Sequence, residues 1–530
     1  MARTYEVIVI GAGQNGLTGA GYLAAAGLKV LVLERYHAIG GMTLTEEVTG
    51  PGFWSDRYAS GYQLANLSPV PVDFALHEHG LELIEPGLPY AHAFPGGRMI
   101  AVSRDLNQTI ASIAQISATD SATCRRLFER YRTAQDQIVN GMFAPPPSLA
   151  APSAAFQNDP GGLDDYRFSR HSVRAWCDEQ FESAEVKSLF ASVAAFVGAA
   201  PDDAGGAEMA WLVASLLQAA GNKYVKGGMN NLTRALASYL IAHGGEVRAS
   251  AGVERILVTN GKATGVRLES GAEILTSGPV ISATDPRQLV DRLLGPEAAG
   301  SELVAQARRY EWGDAAFIIF VALDGPVAYA AGPELGTAGH VHLTPAGIGA
   351  ISQAFVECRN GTLPAAPVIV AWNDSAIDPS RVPAGKHLKK FVVLGVPDEI
   401  AGDATGRIAA RAWEVAKDDY ADYLIDLIAA HYLPDLKTKL RRRVAHSPRD
   451  LERAPRGAAR GTIPRGAMSP DRIGSQRPTP ELGAYRTPIP NVYRCDSSTH
   501  PGPGVSMASG HNAARLICAD LGLPFPGSAT

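Results

Sequence analysis

Residues 5–34 read YEVIVIGAGQNGLTGAGYLAAAGLKVLVLE, and this stretch decides the fold. Tyr5–Ile10 is a short apolar run of β-branched character, suited to a strand buried on both faces. Gly11-Ala12-Gly13-Gln14-Asn15-Gly16 then supplies the pattern GxGxxG. Leu17–Ala26 follows as a helix closed by Gly27, and Lys29–Leu33 as a second strand stopping at Glu34. Gly11 permits the tight strand-to-helix turn, Gly13 keeps a Cβ out of the way of a pyrophosphate, and Gly16 lets the helix pack closely on the sheet. The helix start offers unpaired N–H groups and the positive end of its dipole to phosphate. Glu34, 18 residues beyond Gly16 (34 − 16), is placed to accept hydrogen bonds from a ribose, and its charge disfavours a 2′-phosphate. A lone GxGxxG says little. Strand, turn, helix and acid together indicate a dinucleotide site in a Rossmann-type α/β domain.

The 530 residues exceed one compact core and suggest two intertwined domains. With 46% hydrophobic and 19% charged residues and a net charge of −5, the composition is globular and gives no reason to expect nucleic acid. Cys124, Cys177, Cys358, Cys495 and Cys518 are widely spaced with no CxxC, which argues against a disulfide framework, a metal site or a dithiol redox centre. Reduced thiols in a cytoplasmic protein are the expectation. No basic, apolar and small-residue leader precedes the first strand, so a signal peptide is not expected. The uncharged stretches near 188–201 and 209–222 fall short of the ~20 residues a spanning helix needs. They read as buried helices or the wall of an apolar pocket, with peripheral membrane contact left open.

Beyond Glu34 and Arg35 comes a second glycine pair, Gly40-Gly41, followed by Met42 and Thr43. At the far end Arg494-Cys495-Asp496-Ser497-Ser498-Thr499-His500-Pro501-Gly502-Pro503-Gly504-Val505 leads into a helical pattern from about Ser509 to Leu521. Between them lie Lys226-Gly227-Gly228-Met229, Val253-Glu254-Arg255-Ile256, the segment Val280–Pro286, His342, Asp378-Pro379, Pro383, Gly385-Lys386-His387 and Met468-Ser469-Pro470-Asp471. On these residues the chain resembles, over nearly its whole length, the FAD-dependent amine oxidase and phytoene desaturase superfamily. The nearest likeness is to phytoene-dehydrogenase-related proteins of the pyridine nucleotide-disulfide oxidoreductase domain 2 type.

The resemblance implies FAD, held non-covalently in a discontinuous Rossmann-type domain of residues ~1–100, ~222–295 and ~455–530. A helical part (~101–221) and a mixed part (~296–454) would form an α+β substrate domain over the flavin. It implies cofactor contacts from Gly11, Gly13, Gln14, Asn15, Gly16, Glu34, Arg35, Gly40, Gly41, Met42 and Thr43. Val253 would meet the adenine through its backbone, and Asp496, Gly504 and Val505 would meet the flavin end. Family members have glycine where this chain has Asp496 and Pro503. Asp496 either adds a carboxylate beside the ribityl chain or faces solvent, the second being favoured, and Pro503 removes an N–H. Cys495 matches an ordinary apolar position, so no covalent flavin link is expected.

FAD would carry the hydride chemistry itself, which explains why no catalytic triad stands out. With no second GxGxxG and no cysteine pair, the reduced flavin is expected to pass electrons to oxygen, a quinone or another carrier rather than to NAD(P). Three readings follow: a dehydrogenase or desaturase of a small apolar, isoprenoid-like substrate; an amine oxidase acting on a C–N bond; and an FAD-retaining scaffold without turnover. His500 is the candidate catalytic residue, with a structural role at least as well supported. His340 and His342 alternate along an expected strand, so that one would face the pocket, while Tyr58 and Tyr62 would line the flavin. Apolar strands are expected at Ala315–Leu323 and Pro367–Trp372, and a loop at Ala144–Gly162. Lys437–Arg477 is strongly basic, with Arg441, Arg442, Arg443, Arg449, Arg453, Arg456, Arg460, Arg465 and Arg472. A solvated surface, with some arginines facing the pyrophosphate or an oligomer interface, is favoured over attraction to anionic lipid. Homo-oligomerisation is left open.

Overall fold

The computed structural model describes residues 5–454 and 458–528, and Arg456 of the basic stretch lies outside them. Two large sheets organise the chain. The first has five strands in the order Val492–Arg494, Val280–Ser282, Val7–Ile10, Val30–Leu33 and Glu246–Arg248, every neighbour parallel. A parallel sheet is covered on both faces, which is why VIVI and VLVL read as unbroken apolar runs. Val7, Val9, Val30 and Val32 pack beneath helices Gln14–Ala25, Asn230–Ala242 and Ala508–Leu521. Ile8, Ile10, Leu31 and Leu33 face the opposite layer, built from a small antiparallel sheet beginning at Val253 and the segment 289–307. The first helix starts at Gln14, three residues before the sequence suggests, because Gly13 serves as its N-cap.

The second sheet has seven strands in the order Leu440–His446, Ala315–Leu323, His387–Val396, Val368–Trp372, Ala338–Leu343, Leu88–Phe94 and Arg98–Val102. The expected strands at 315–323 and 367–372 are both present. Leu88–Phe94 pairs in parallel with Ala338–Leu343 and antiparallel with Arg98–Val102, so residues 88–102 belong to this second sheet. One face of this sheet packs against helices Ala184–Phe196 and Gly206–Ala220, which take in most of the two uncharged stretches. Among the described residues no helix is long and apolar enough to cross a membrane. The expected loop at 144–162 contains a helix, Ala150–Asn158, with no buried residue.

A buried charge knot joins the two parts. Asp56 Oδ1 accepts from Thr45 Oγ1 (2.6 Å) and from the Met229 N–H (2.8 Å). Its Oδ2 lies 3.1 Å from Arg381, which also meets Asp374 at 3.3 Å and donates to the Trp54 carbonyl. All three charged side chains are inaccessible to water, so each needs the others to offset its desolvation.

Candidate active site

At the C-terminal edge of the five-stranded sheet, where parallel α/β sheets bind ligands, lies a groove that is open to solvent. Its floor is main chain. Gly11 adopts φ +105°, which only glycine takes without strain, and a Cβ on Gly16 would stand 2.1 Å from the Gly11 carbonyl oxygen. Gly13 differs: a Cβ there would meet nothing closer than the Gly41 Cα at 3.8 Å, leaving its face free for a ligand. The two glycine pairs are laid side by side, since Gly13 and Gly40 form a parallel bridge and the Gly40 N–H donates to the Ala12 carbonyl. Thr43 Oγ1 closes that turn on the Gly40 carbonyl at 2.7 Å. Among the described residues no side chain caps the first helix, so its leading N–H groups stay available at the groove.

Glu34 borders the other end. Its oxygens accept from the Ala12 and Tyr36 N–H groups, both at 2.9 Å, which fixes the carboxylate and leaves lone pairs for ribose hydroxyls. Arg35 and Val253 stand beside it, with Arg35 paired to Glu269. Thr284, Gln288, Arg292 and Arg465 also line the groove and were not singled out as contacts from sequence. The return strand Val280–Ser282, named above, was the signal for the first three. For Arg465 it was the expectation that part of the basic stretch faces the pyrophosphate. The other arginines there are largely engaged by surface carboxylates: Arg443 by Asp418 and Asp422, Arg449 by Glu399 and Glu452, Arg460 by Asp398.

The closing segment completes the far wall. Gln14 is a tie across the ends of the chain, donating to the Gly504 carbonyl (2.9 Å) and accepting from the Met507 N–H (3.2 Å). The last helix crosses the first at a glycine, Gly510, whose Cβ would lie 2.2 Å from the Asn15 carbonyl oxygen. Asp496 does not face solvent as favoured: it is 3% exposed, borders the groove and is paired at 2.6 Å with the buried Arg494. It also accepts from the Ser498 N–H and hydroxyl, so a web of donors holds it inward. Two Arg494 nitrogens, Nε and Nη1, are buried with no hydrogen-bond partner among the described residues. Gly504 and Val505 lie behind the groove, Gly504 against Leu64 and Val505 in the core. His500 is not among the residues bordering the groove. Its Nε2 donates to the Gly141 carbonyl at 2.9 Å, and burial lowers its pKa, so the ring braces the closing turn.

A family model described as flavin containing amine oxidoreductase matches residues 16–520. The chain belongs to that family. It is an FAD-dependent oxidoreductase. It is 30% identical to pyridine nucleotide-disulfide oxidoreductase domain-containing protein 2 of Rattus norvegicus, over 98% of this chain and 94% of the rat protein. A limonene dehydrogenase component of Castellaniella defragrans is 25% identical over 98% of this chain and 95% of its own. Among solved structures, an oxidoreductase from Methanosarcina mazei superposes with a TM-score of 0.61 at 17% identity, covering 97% of this chain and all (100%) of that one. For this flavoenzyme the residues present fit FAD: a glycine cradle, a free helix start, an anchored acid and buried donors that lack partners. All five cysteines are buried and unpaired, and burial raises the Cys495 thiol pKa.

The groove is linked to the second sheet through residues 57–64. The Ala59 N–H donates to the Met42 carbonyl, a Cβ on Gly61 would touch both Asn222 and Trp372, and Leu64 packs on the core beneath the sheet. Tyr58 and Tyr62 are both buried in this link, and the Tyr62 hydroxyl has no hydrogen-bond partner among the described residues. His340 and His342, two residues apart, share one face of the sheet, so both enter the layer under helices Ala184–Phe196 and Gly206–Ala220. Tyr90, Phe196 and Trp372 surround them. Sequence reasoning missed His92, which the parallel register sets opposite His342.

Proposed function

We propose that this flavoenzyme is a dehydrogenase or desaturase that removes a hydride from a C–H bond of an apolar, isoprenoid-like substrate. The substrate would lie between the seven-stranded sheet and helices Ala184–Phe196 and Gly206–Ala220. FAD, bound without a covalent link, supplies the hydride acceptor, and oxygen, a quinone or another carrier takes the electrons onward. The observation that carries this reading is the lining of that layer: Tyr90, Phe196, Val370 and Trp372 around three imidazoles that burial holds neutral. Such a wall favours hydrocarbon by about 25 cal/mol per Å² of apolar surface buried. The charges at its edge are already engaged. Lys390 reaches over Trp372 to the Asp56 and Tyr58 carbonyls, while Arg381 holds Asp56 and Asp374, so a substrate ammonium would find poor compensation there. Residues 57–64 would separate substrate from the pyrophosphate, and the helices would exclude water. The terpene in the name of the Castellaniella relative points the same way.

The test is anaerobic titration of the purified holoprotein, following flavin absorption near ~450 nm, with a monoterpene and sesquiterpene panel and with putrescine and spermidine. Bleaching by isoprenoids and not by polyamines is expected. Bleaching by polyamines alone would replace this reading with C–N oxidation.

A further inference from the structure

The three buried imidazoles are an expensive arrangement for a hydrophobic layer, and their hydrogen bonding is incomplete. His342 lies between the other two, its ring centroid 4.6 Å from His92 and 5.1 Å from His340. All three side chains are 0% exposed. Their partners define the tautomers. The Asn222 amide donates to His340 Nδ1 at 2.9 Å, so the proton of that neutral ring sits on Nε2. The Ser192 hydroxyl donates to the Leu189 carbonyl, leaving its oxygen to accept from His92 Nδ1 at 3.3 Å, so His92 Nε2 keeps a lone pair. Among the described residues His340 Nε2, His92 Nε2 and both nitrogens of His342 have no hydrogen-bond partner. The layer therefore presents two N–H donors and two lone pairs within one apolar enclosure. Among the described residues no cluster of His, Cys, Asp or Glu is arranged to hold a metal ion.

We infer that His92, His340 and His342 are the polar end of the substrate chamber and bind the hydroxyl group of an otherwise hydrocarbon substrate, an inference that rests on the dehydrogenase reading. The chemistry selects this group over its competitors. A hydroxyl gives one proton and accepts others, so it can meet an N–H and a lone pair on neighbouring rings at once. A ketone or ether accepts only, leaving both lone pairs unmet. A carboxylate or an ammonium would bring a charge that three neutral rings in an apolar wall offset poorly. Tyr90, Phe196 and Trp372 close around the imidazoles, so the hydrocarbon body of the same molecule has its apolar contact within reach of the anchor.

The experiment compares geraniol and farnesol with their hydroxyl-free parent hydrocarbons, using the intact FAD-loaded protein. Dissociation constants come from the perturbation of the visible flavin spectrum, and ring states from NMR of ¹⁵N-histidine-labelled protein. The alcohols are expected to bind about tenfold to a hundredfold tighter than their parents and to shift the resonances of the three imidazoles. His342→Leu should erase the preference, so that each alcohol and its parent hydrocarbon bind alike. Should that variant not fold, the wild-type comparison and the NMR shifts still decide. Equal affinity for alcohol and parent, with the histidine resonances unmoved, overturns the inference and leaves the dehydrogenase reading standing. Failure of both compound classes to bind or bleach the flavin brings down the dehydrogenase reading itself.

Discussion

The two sheets hold their sites by different means. On the five-stranded sheet the groove is made of main chain: glycines where a Cβ would collide, a bare helix start, and one acid anchored by two backbone N–H groups. Beside the seven-stranded sheet the layer proposed to hold substrate is made of side chains contributed by distant parts of the sequence, with His92 meeting His342 and Asn222 meeting His340. Main-chain geometry tolerates few residue types, while a side-chain lining can be exchanged residue by residue. A fold of this kind can keep its cofactor and change its substrate. The Asp56–Arg381–Asp374 knot is where the two constructions meet.

Breaking that joint should have the largest effect. Arg381→Met leaves two carboxylates buried without their cation and is expected to destabilise the protein by about 3–5 kcal/mol. Chemical denaturation reads this directly, and flavin content per folded molecule should hold, because the groove shares no residue with the knot. Stability within ~0.5 kcal/mol of wild type would mean that the two parts are joined elsewhere.

A smaller effect sharpens the picture of the far face of the seven-stranded sheet. Lys389 lies over the Tyr329 ring, donates to its hydroxyl and to Asn373, and is pushed down to about 7 by burial. Between pH 7 and its ordinary value of 10.5 the unfolded chain binds a proton that the native state does not, so this residue makes stability rise with pH across that window. Relative to Lys389→Met, the wild type should gain on the order of 1–2 kcal/mol from about pH 7 to about pH 9. Parallel stability curves for the two proteins would show that Lys389 keeps the same proton affinity folded and unfolded.

The groove was legible in the sequence because its requirements are local. Gly11, Gly16 and Glu34 fall within the first strand–turn–helix–strand unit, and the second glycine pair packs back on Gly13 of that unit. Thr284, Gln288 and Arg292 depend on the return strand landing beside Val7–Ile10, a long-range event that residue type alone does not announce. Asp496 is buried because Arg494, itself buried, pairs with it, and a charged residue in a turn does not announce such a partner by type. The expected loop at 144–162 is helical over Ala150–Asn158 because Pro152 falls in the first turn, where its missing N–H costs nothing, and alanines follow. His92 gave no signal at all: its role exists only through a parallel register between strands far apart in the chain.

The most direct test of the account is the absorption spectrum of Gly13→Ala beside that of the wild type, with circular dichroism on both. The added methyl meets no protein atom closer than 3.8 Å, so the fold should be unchanged, yet it would stand where the cofactor pyrophosphate approaches the chain. The account predicts flavin bands near ~370 and ~450 nm in the wild type and their loss, or a large fall, in a normally folded Gly13→Ala. A folded Gly13→Ala that keeps its full complement of flavin would contradict it, because the cofactor could then not lie against the glycine turn.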